Sequence, residues 1–461
     1  MAIKRKKGTP TVPVNENGQQ VFALDIGSSH LRLAFGIVGD DKQIKIQGLK
    51  QCPSQGFVKG HISDIDSLAR QIALIVQDFQ NQYGVVIENL VTEVPGCFIS
   101  AENQDGFATI QSGTVTIADR NRAITNAIAG VKINESEYSI IHAIPQQYTT
   151  EDVDLVSNPI GMYAKRLEVN VHVIGCKYIF KKNIEQAIKM TNPDLNVSSL
   201  IYAGNAASSA VLRASEKDIG VIHVDIGGGT VNVTVYEGNR QLLSFGINDG
   251  GEYITKMIAK EFSISMKNAE SLKCTYGCAD VRMLTEDAAN SSIVIPDTES
   301  NTSQVSSKEV TIRTGALVDV INRALRSMFE LIFQQIDYYG RETLKSLEIG
   351  AGVVLTGGTS KLPGIEQVAS EIIKELNYQD NTFIKCNPKV SVGHPIGISV
   401  FEDAGSPGFI SDSDKAVVIG LLRSAKFDDL KQYTDDELRE EREKNRGVVK
   451  SVYDWVRREL F

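Results

Sequence analysis

Two aspartates carry the first chemical signal, because a glycine turn follows each of them. Asp25 stands in VFALDIGSSHLRLAF, residues 21–35, and Asp225 in VIHVDIGGGTVNVTVY, residues 221–236. Glycines allow positive φ and close backbone approach, so successive amide N–H groups can converge on a phosphate. Gly227, Gly228, Gly229 and Thr230 form the richer turn; Gly27, Ser28 and Ser29 form its partner. For either turn alone, an ordinary glycine-rich β-turn is the plain alternative.

The flanking residues say what must position these turns. Val221, Ile222 and Val224 make a short apolar run, which predicts a strand buried on both faces. Val231, Val233 and Val235 alternate, which predicts a half-buried strand of period two. Leu31, Leu33 and Phe35 repeat that pattern after the first turn. Each turn therefore joins two strands. A Rossmann dinucleotide loop would open a helix, so that fold is excluded. Two such hairpins imply two related halves able to face one nucleotide. A third glycine site, GVVLTGGTSKLPG at 352–364, sets Gly357 and Gly358 between a buried strand and a helix.

Taken in this order, the three sites resemble the actin superfamily, which includes actin, MreB, DnaK-type chaperones, sugar kinases and FtsA. The resemblance covers residues 21 to about 425. It implies an α/β, actin-like (ribonuclease-H-like), two-lobed ATPase fold that binds ATP with Mg2+. The phosphates are expected between Gly27–Ser29 and Gly227–Thr230, and the cation at Asp25 and Asp225. Arg32 faces the same cleft by its place in the hairpin. Gly251 follows the second hairpin and opens a helix. Glu270 and Lys273 lie three apart and share a helix face. A surface ion pair explains that spacing as well; the resemblance implies contacts to ribose and base, with Gly357 and Gly358 opposite.

Composition narrows the class. The chain has 461 residues, 42% hydrophobic and 23% charged, enough for two or three compact domains. A formal charge of −9 argues against a general nucleic-acid binder. No apolar run reaches the length of a membrane span, and no signal core follows the basic N-terminus. Cysteines 52, 97, 176, 274, 278 and 386 are scattered and complete no zinc set, so reduced thiols are expected.

In chain order, residues 1–20 read as a disordered arm and 21–100 as the first part of lobe 1. His61 reads as a surface side chain. Residues 101–178 interrupt the actin pattern with a separate small α/β unit. Here the resemblance to FtsA, the bacterial cell-division relative of actin, becomes specific. Its inserted domain carries runs similar to Ile144–Tyr148, Asn158–Met162 and Arg166–Cys176. Residues 179–218 return to lobe 1, with Leu200–Arg213 expected as the connecting helix into the cleft. Hydrolysing relatives present Glu or Gln near its start to orient water; Ala203 stands there. Asn205, or Asp25 and Asp225, would substitute only in part, so ATP hydrolysis is expected to be slow at most.

Residues 219–425 form lobe 2 with a return to lobe 1. In FtsA the subdomain at about 252–345 holds a groove for the C-terminal peptide of FtsZ, and the resemblance makes Arg313, Arg323 and Arg326 its candidates. Solvated arginines on a helix are the alternative. Residues 426–446 are a charged linker. In 447–461, GVVKSVYDWVRRELF, a helix places Val448, Val452, Trp455, Val456 and Leu460 within an apolar arc of roughly 160°. Arg457 and Arg458 fall opposite, beside anionic headgroups if the helix lies in a lipid interface. Packing on its own domain is the alternative. FtsA carries a membrane-targeting helix at this end. The resemblance thus implies a filament-forming tether for FtsZ on the inner face of the bacterial membrane, with later division proteins recruited through the inserted domain. The rivals are a small-molecule kinase, for which no substrate-cleft Asp is evident, a DnaK-type chaperone, which would need a β-rich peptide-binding domain after residue 425, and the pilus-associated relative of FtsA.

Overall fold

A computed structural model describes residues 18–39, 43–134, 136–296, 309–343, 346–377, 384–401 and 404–424. Most of the expected arm, the charged linker and the amphipathic helix lie outside the described residues. Gln19 and Gln20, placed with the arm from sequence, already belong to the first strand. No helix among the described residues is long and apolar enough to cross a membrane. None of the six cysteines is in a disulfide.

The chain divides into two compact units. The larger takes its described residues from 18–97, 183–239 and 243–424, the smaller from 98–182 and 240–242. Two sheets organise the larger unit. The six-stranded sheet runs Asn196–Tyr202, Asn89–Val94, Gln19–Ile26, His30–Val38, Ile44–Pro53, Ile398–Val400. The five-stranded sheet runs Arg240–Ile247, Val231–Glu237, Val221–Ile226, Gly352–Thr356, Val390–Val392. Both repeat one plan: an antiparallel hairpin whose first strand also pairs with a parallel neighbour. Strands covered on both faces read as mainly apolar runs, and Val221–Ile226 is buried at every residue, His223 and Asp225 included.

Two expectations from the sequence differ from the structure. Val231–Glu237 is not half-exposed; Asn232 and Thr234 on its second face are buried too. Asn232 can be buried because both ends of its amide are bonded, as described below. Leu200–Tyr202 is strand rather than helix, since it pairs in parallel with Thr92–Val94; the helix runs Ala203–Val211. Pairing overrides a local pattern rich in small residues. The strand beside Gln19–Ile26 runs Asn89–Val94.

In the smaller unit, Ile99–Thr109, Arg166–Lys177 and Tyr138–Thr150 form an antiparallel sheet in that order. Tyr138–Thr150 is continuous through Pro145, because it is an edge strand and its register shifts there. Helix Ile117–Ala129 begins at a capping box of Thr116 and Asp119 and buries Ile124, Ala127 and Ile128 against Leu167, Val169 and Val171. Gly106 lets it lie close: a Cβ there would overlap the Ala123 carbonyl.

His142 and His172 are fully buried in this sheet. Asn103 donates from its amide nitrogen to Leu242 O at 2.8 Å, so its oxygen accepts from His172 Nδ1, also at 2.8 Å. Burial holds both imidazoles neutral, with pKa values pushed down to about 3. The unfolded chain takes up protons below about pH 6.5 and the folded sheet does not, so stability is full above that value and declines towards pH 3. Together the pair costs about 4 kcal/mol by pH 5. Amide exchange in Tyr138–Thr150 and Arg166–Lys177, corrected for intrinsic rate, is expected to lose protection between pH 7.5 and 5. Rising protection would contradict this. The local readout matters because buried carboxyls elsewhere act in the opposite sense.

Candidate functional site

The two glycine turns of the larger unit meet face to face. Each is closed by one backbone bond, Gly27 N to His30 O at 3.1 Å and Gly227 N to Thr230 O at 2.9 Å. A Cβ on Gly228 would fall on Ser29 Oγ, and one on Gly229 would lie 2.5 Å from Ser28 Oγ. Residues with side chains would hold the turns apart. The third loop closes from the side: Gly357 has φ +87°, and a Cβ there would lie 2.9 Å from Asp225 Oδ1.

Between them lies a cleft of about 400 Å³. Its wall brings together the expected Asp25, Gly27, Ser28, Ser29, Arg32, Asp225, Gly227, Gly228, Gly229, Thr230, Glu270, Lys273, Gly357 and Gly358. Asn205 and Gly251 are not on that wall. Asn205 is buried within helix Ala203–Val211. Gly251 donates its N–H to Gly227 O at 2.9 Å, so the helix start braces the turn.

Asp225 is held from two sides. Thr356 Oγ1 donates to Oδ1 and Asn232 Nδ2 to Oδ2, both at 3.0 Å. Asn232 Oδ1 accepts from Gly96 N at 2.8 Å. Burial, with the nearby Asp25 charge, pushes the Asp225 carboxyl up to about 6 against those two bonds. Asp25 is also raised by burial, and Arg32 Nη1 lies 3.0 Å from its Oδ2. Arg32 reaches Asp414 as well, at 3.3 Å. No cluster of three or more metal-ligating side chains occurs among the described residues. Two buried carboxylates that repel each other nonetheless fit a hard cation whose remaining ligands are water and phosphate.

Glu270 and Lys273 form an ion pair at 2.7 Å on helix Met266–Tyr276. Lys273 Nζ also donates to Gly251 O and Thr255 Oγ1, each at 2.9 Å, and Thr255 donates to Glu270. The pair is thus fixed in the cleft wall, with Lys273 only 10% exposed.

Several groups in and around the cleft escaped the sequence reading. Glu93 lines it from the end of Asn89–Val94. Asp414 lines it from near the chain's end and pairs with the buried Lys415 at 2.6 Å. Lys59 and Gly60 form a two-residue turn with both φ values positive, the geometry of a type I′ hairpin. Gly60 N donates to Ser28 Oγ at 3.1 Å, while Lys59 Nζ reaches Asp249 at 2.7 Å. His61, exposed as expected, pairs with Asn248 at 3.0 Å. This hairpin straps one sheet's turn to the other sheet.

Arg323 and Arg326 are engaged within the chain. Arg326 binds both Glu375 oxygens at 2.6 Å, and Arg323 lies 3.4 Å from Glu261. Arg313 is exposed at the end of Glu309–Arg313. Exposed pairs of this kind contribute about 0–1 kcal/mol, so another carboxylate can replace them cheaply.

Two hairpin-based sheets facing across a cleft, with a small inserted unit, define an actin-like fold carrying an inserted SHS2 domain. Consistent with that class, the PilM–PilN type IV pilus biogenesis complex superposes with a TM-score of 0.56 at 15% identity, over 88% of this chain and 98% of that one. The model for "Cell division protein FtsA" matches residues 222–413, and that for the SHS2 domain inserted in FtsA matches 96–175. FtsA of Neisseria meningitidis is 32% identical over 363 residues, 78% of this chain and 83% of its own length. FtsA of Pseudomonas aeruginosa is 30% identical over 357 residues, 77% and 82% of the two chains. FtsA of Escherichia coli K12 is 27% identical over 444 residues, 95% and 96% of the two. The chain belongs to the FtsA family of cell division proteins.

Proposed function

We propose that this cell division protein binds ATP with Mg2+ in the cleft and uses it chiefly as a conformational ligand. The observation carrying this reading is the mutual approach of the two glycine turns beside Asp25 and Asp225. Amides of Gly27–Ser29 and Gly227–Thr230 would hold the phosphates, and Asp25 and Asp225 the cation, largely through water. Arg32 stands beside Asp25 to complement phosphate charge. Glu270 would accept from ribose hydroxyls, the Lys273 stem would cover the base, and Gly357 and Gly358 would close the opposite side. Bound cation supplies charge neutralisation between the phosphates. Ala203 lines the cleft with a methyl group that cannot orient water, which supports slow turnover.

Closure around ATP would favour filaments. Filaments would hold many copies of the C-terminal helix together, which matters because one such helix binds lipid weakly. Val448, Val452, Trp455, Val456, Arg457, Arg458 and Leu460 would make that contact; all lie outside the described residues. The protein would thus sit peripherally on the cytoplasmic face of the inner membrane at the division site. There it would tether FtsZ through its C-terminal peptide, with Arg313, Arg323 and Arg326 as candidate contacts, and recruit later division proteins through the inserted domain. Co-sedimentation with anionic vesicles tests the proposal. The whole chain is expected to pellet better with ATP, and a chain ending at Gly447 to stay in solution. If both stay in solution with and without ATP, the tether is wrong.

A further inference from the structure

Ala203 cannot orient an attacking water, and a buried carboxylate, Glu93, lines the same cleft. Glu93 is the penultimate residue of Asn89–Val94, the strand between Gln19–Ile26 and Asn196–Tyr202. Its parallel partner on the latter is Ile201, two residues before Ala203. Glu93 and Ala203 line the same cleft. Glu93 is 5% exposed, and burial with the Asp25 charge beside it holds its carboxyl well above the usual carboxylate range; a cation at Asp25 would offset that charge and favour the ionised, accepting form. One oxygen is anchored: Oε1 accepts from Ile26 N at 2.6 Å, directly beside Asp25 and the first glycine turn. The other is much less engaged. Thr92 Oγ1 lies 3.4 Å from Oε2, but gives its proton to Leu24 O at 2.7 Å.

The cleft's other carboxylates are committed. Asp225 accepts at both oxygens. Asp414 takes Lys415 at Oδ1 and Arg32 at Oδ2. Glu270 takes Lys273, Thr255 and Cys274. Asp25 takes Arg32 at Oδ2 and keeps Oδ1, which the proposed cation claims.

We infer that Glu93 Oε2 accepts a hydrogen bond from the water that attacks ATP, filling the role that Ala203 cannot. The inference rests on the ATP reading above. In the step, the water oxygen bonds to the γ-phosphorus as the bond to the β–γ bridging oxygen breaks. One water proton stays on the released phosphate and the other passes to solvent, leaving ADP. Glu93 orients the water and is not consumed; its worth lies in positioning.

Glu93→Gln separates anchoring from catalysis. With its amide oxygen facing Ile26 N–H, the anchor survives, and the amide nitrogen replaces Oε2. That nitrogen donates and cannot accept from water. Single-turnover release of labelled phosphate from ATP is expected to slow at least about tenfold in Glu93→Gln. ATP affinity by calorimetry should be unchanged or tighter, and the melting temperature unchanged. Glu93→Ala removes the acceptor for Ile26 N–H and is expected to lose stability as well as turnover. Equal phosphate release by Glu93→Gln and the unmodified chain would overturn the inference. So would an unmodified chain that binds ATP but never hydrolyses it. A chain that binds no ATP would refute the underlying nucleotide reading, which the calorimetry detects separately.

Discussion

Gly420→Val is expected to destabilise the chain by about 3 kcal/mol and to lower its melting temperature by several degrees. Gly420 lies in the last helix, Ala416–Ser424, where that helix crosses Ala203–Val211. A Cβ at Gly420 would fall on the carbonyl group of Ala206, with Ala206 Cα at 2.9 Å. The obstacle is backbone, so no rotamer change relieves it. Even alanine, which favours a helix over glycine by about 1 kcal/mol, should come out destabilising, because overpacking costs about 1–3 kcal/mol. Parting these helices also shifts Ala203 at the start of one and Asp414 just before the other. ATP affinity should therefore fall along with stability. Gly408→Ala is the control, since nothing lies within 4 Å of its added Cβ. Thermal unfolding of these variants beside the unmodified chain decides the matter, and a Gly420→Val chain as stable as the unmodified one would contradict the packing.

The second large effect is expected at Gly357. With φ at +87°, a side chain there costs about 1–3 kcal/mol in backbone strain alone. A Cβ would also overlap the Ile226 carbonyl and crowd Asp225 Oδ1. Relief requires the loop to move, and Thr356 moves with it, breaking one of the two bonds that hold Asp225. Gly357→Ala should therefore lose nucleotide binding beyond what its own stability loss explains. ATP at a hundred times its dissociation constant stabilises a binding chain by about 2.7 kcal/mol. The unmodified chain should show such a shift in thermal melts with ATP and Mg2+, and Gly357→Ala should show none. Full retention of the shift would mean that this loop does not close the site.

The residues that could be read from sequence are those whose type is forced by backbone geometry. Gly228, Gly229 and Gly357 are required because turns and loops touch there, and glycine is visible as a letter. Asp25 and Asp225 follow from their fixed place before those turns. Residues that act through distant pairing left weaker traces. Asp414 meets Arg32 across 382 positions of chain, and Lys59 meets Asp249 across 190. No local period encodes either approach. Glu93 did leave one signal, a lone carboxyl inside the otherwise uncharged run Leu90–Val94. Alternation misled at Val231–Val235, because Asn232 is buried by bonds to Gly96 and Asp225 rather than exposed to water. Leu200–Tyr202 misled in the same way, since strand pairing outweighed local preference. The arginines at 323 and 326 were legible as charges, but not as partners of Glu261 and Glu375.

The proposed function stands on the two glycine turns and their aspartates holding ATP with a divalent cation. Calorimetric titration of the whole chain with ATP, with Mg2+ and again with a chelator, tests it most directly. Saturable binding of one ATP per chain is expected, weakening markedly when the cation is removed and again in Asp225→Ala. No saturable binding up to millimolar ATP, or binding indifferent to Mg2+ and to Asp225, would contradict it.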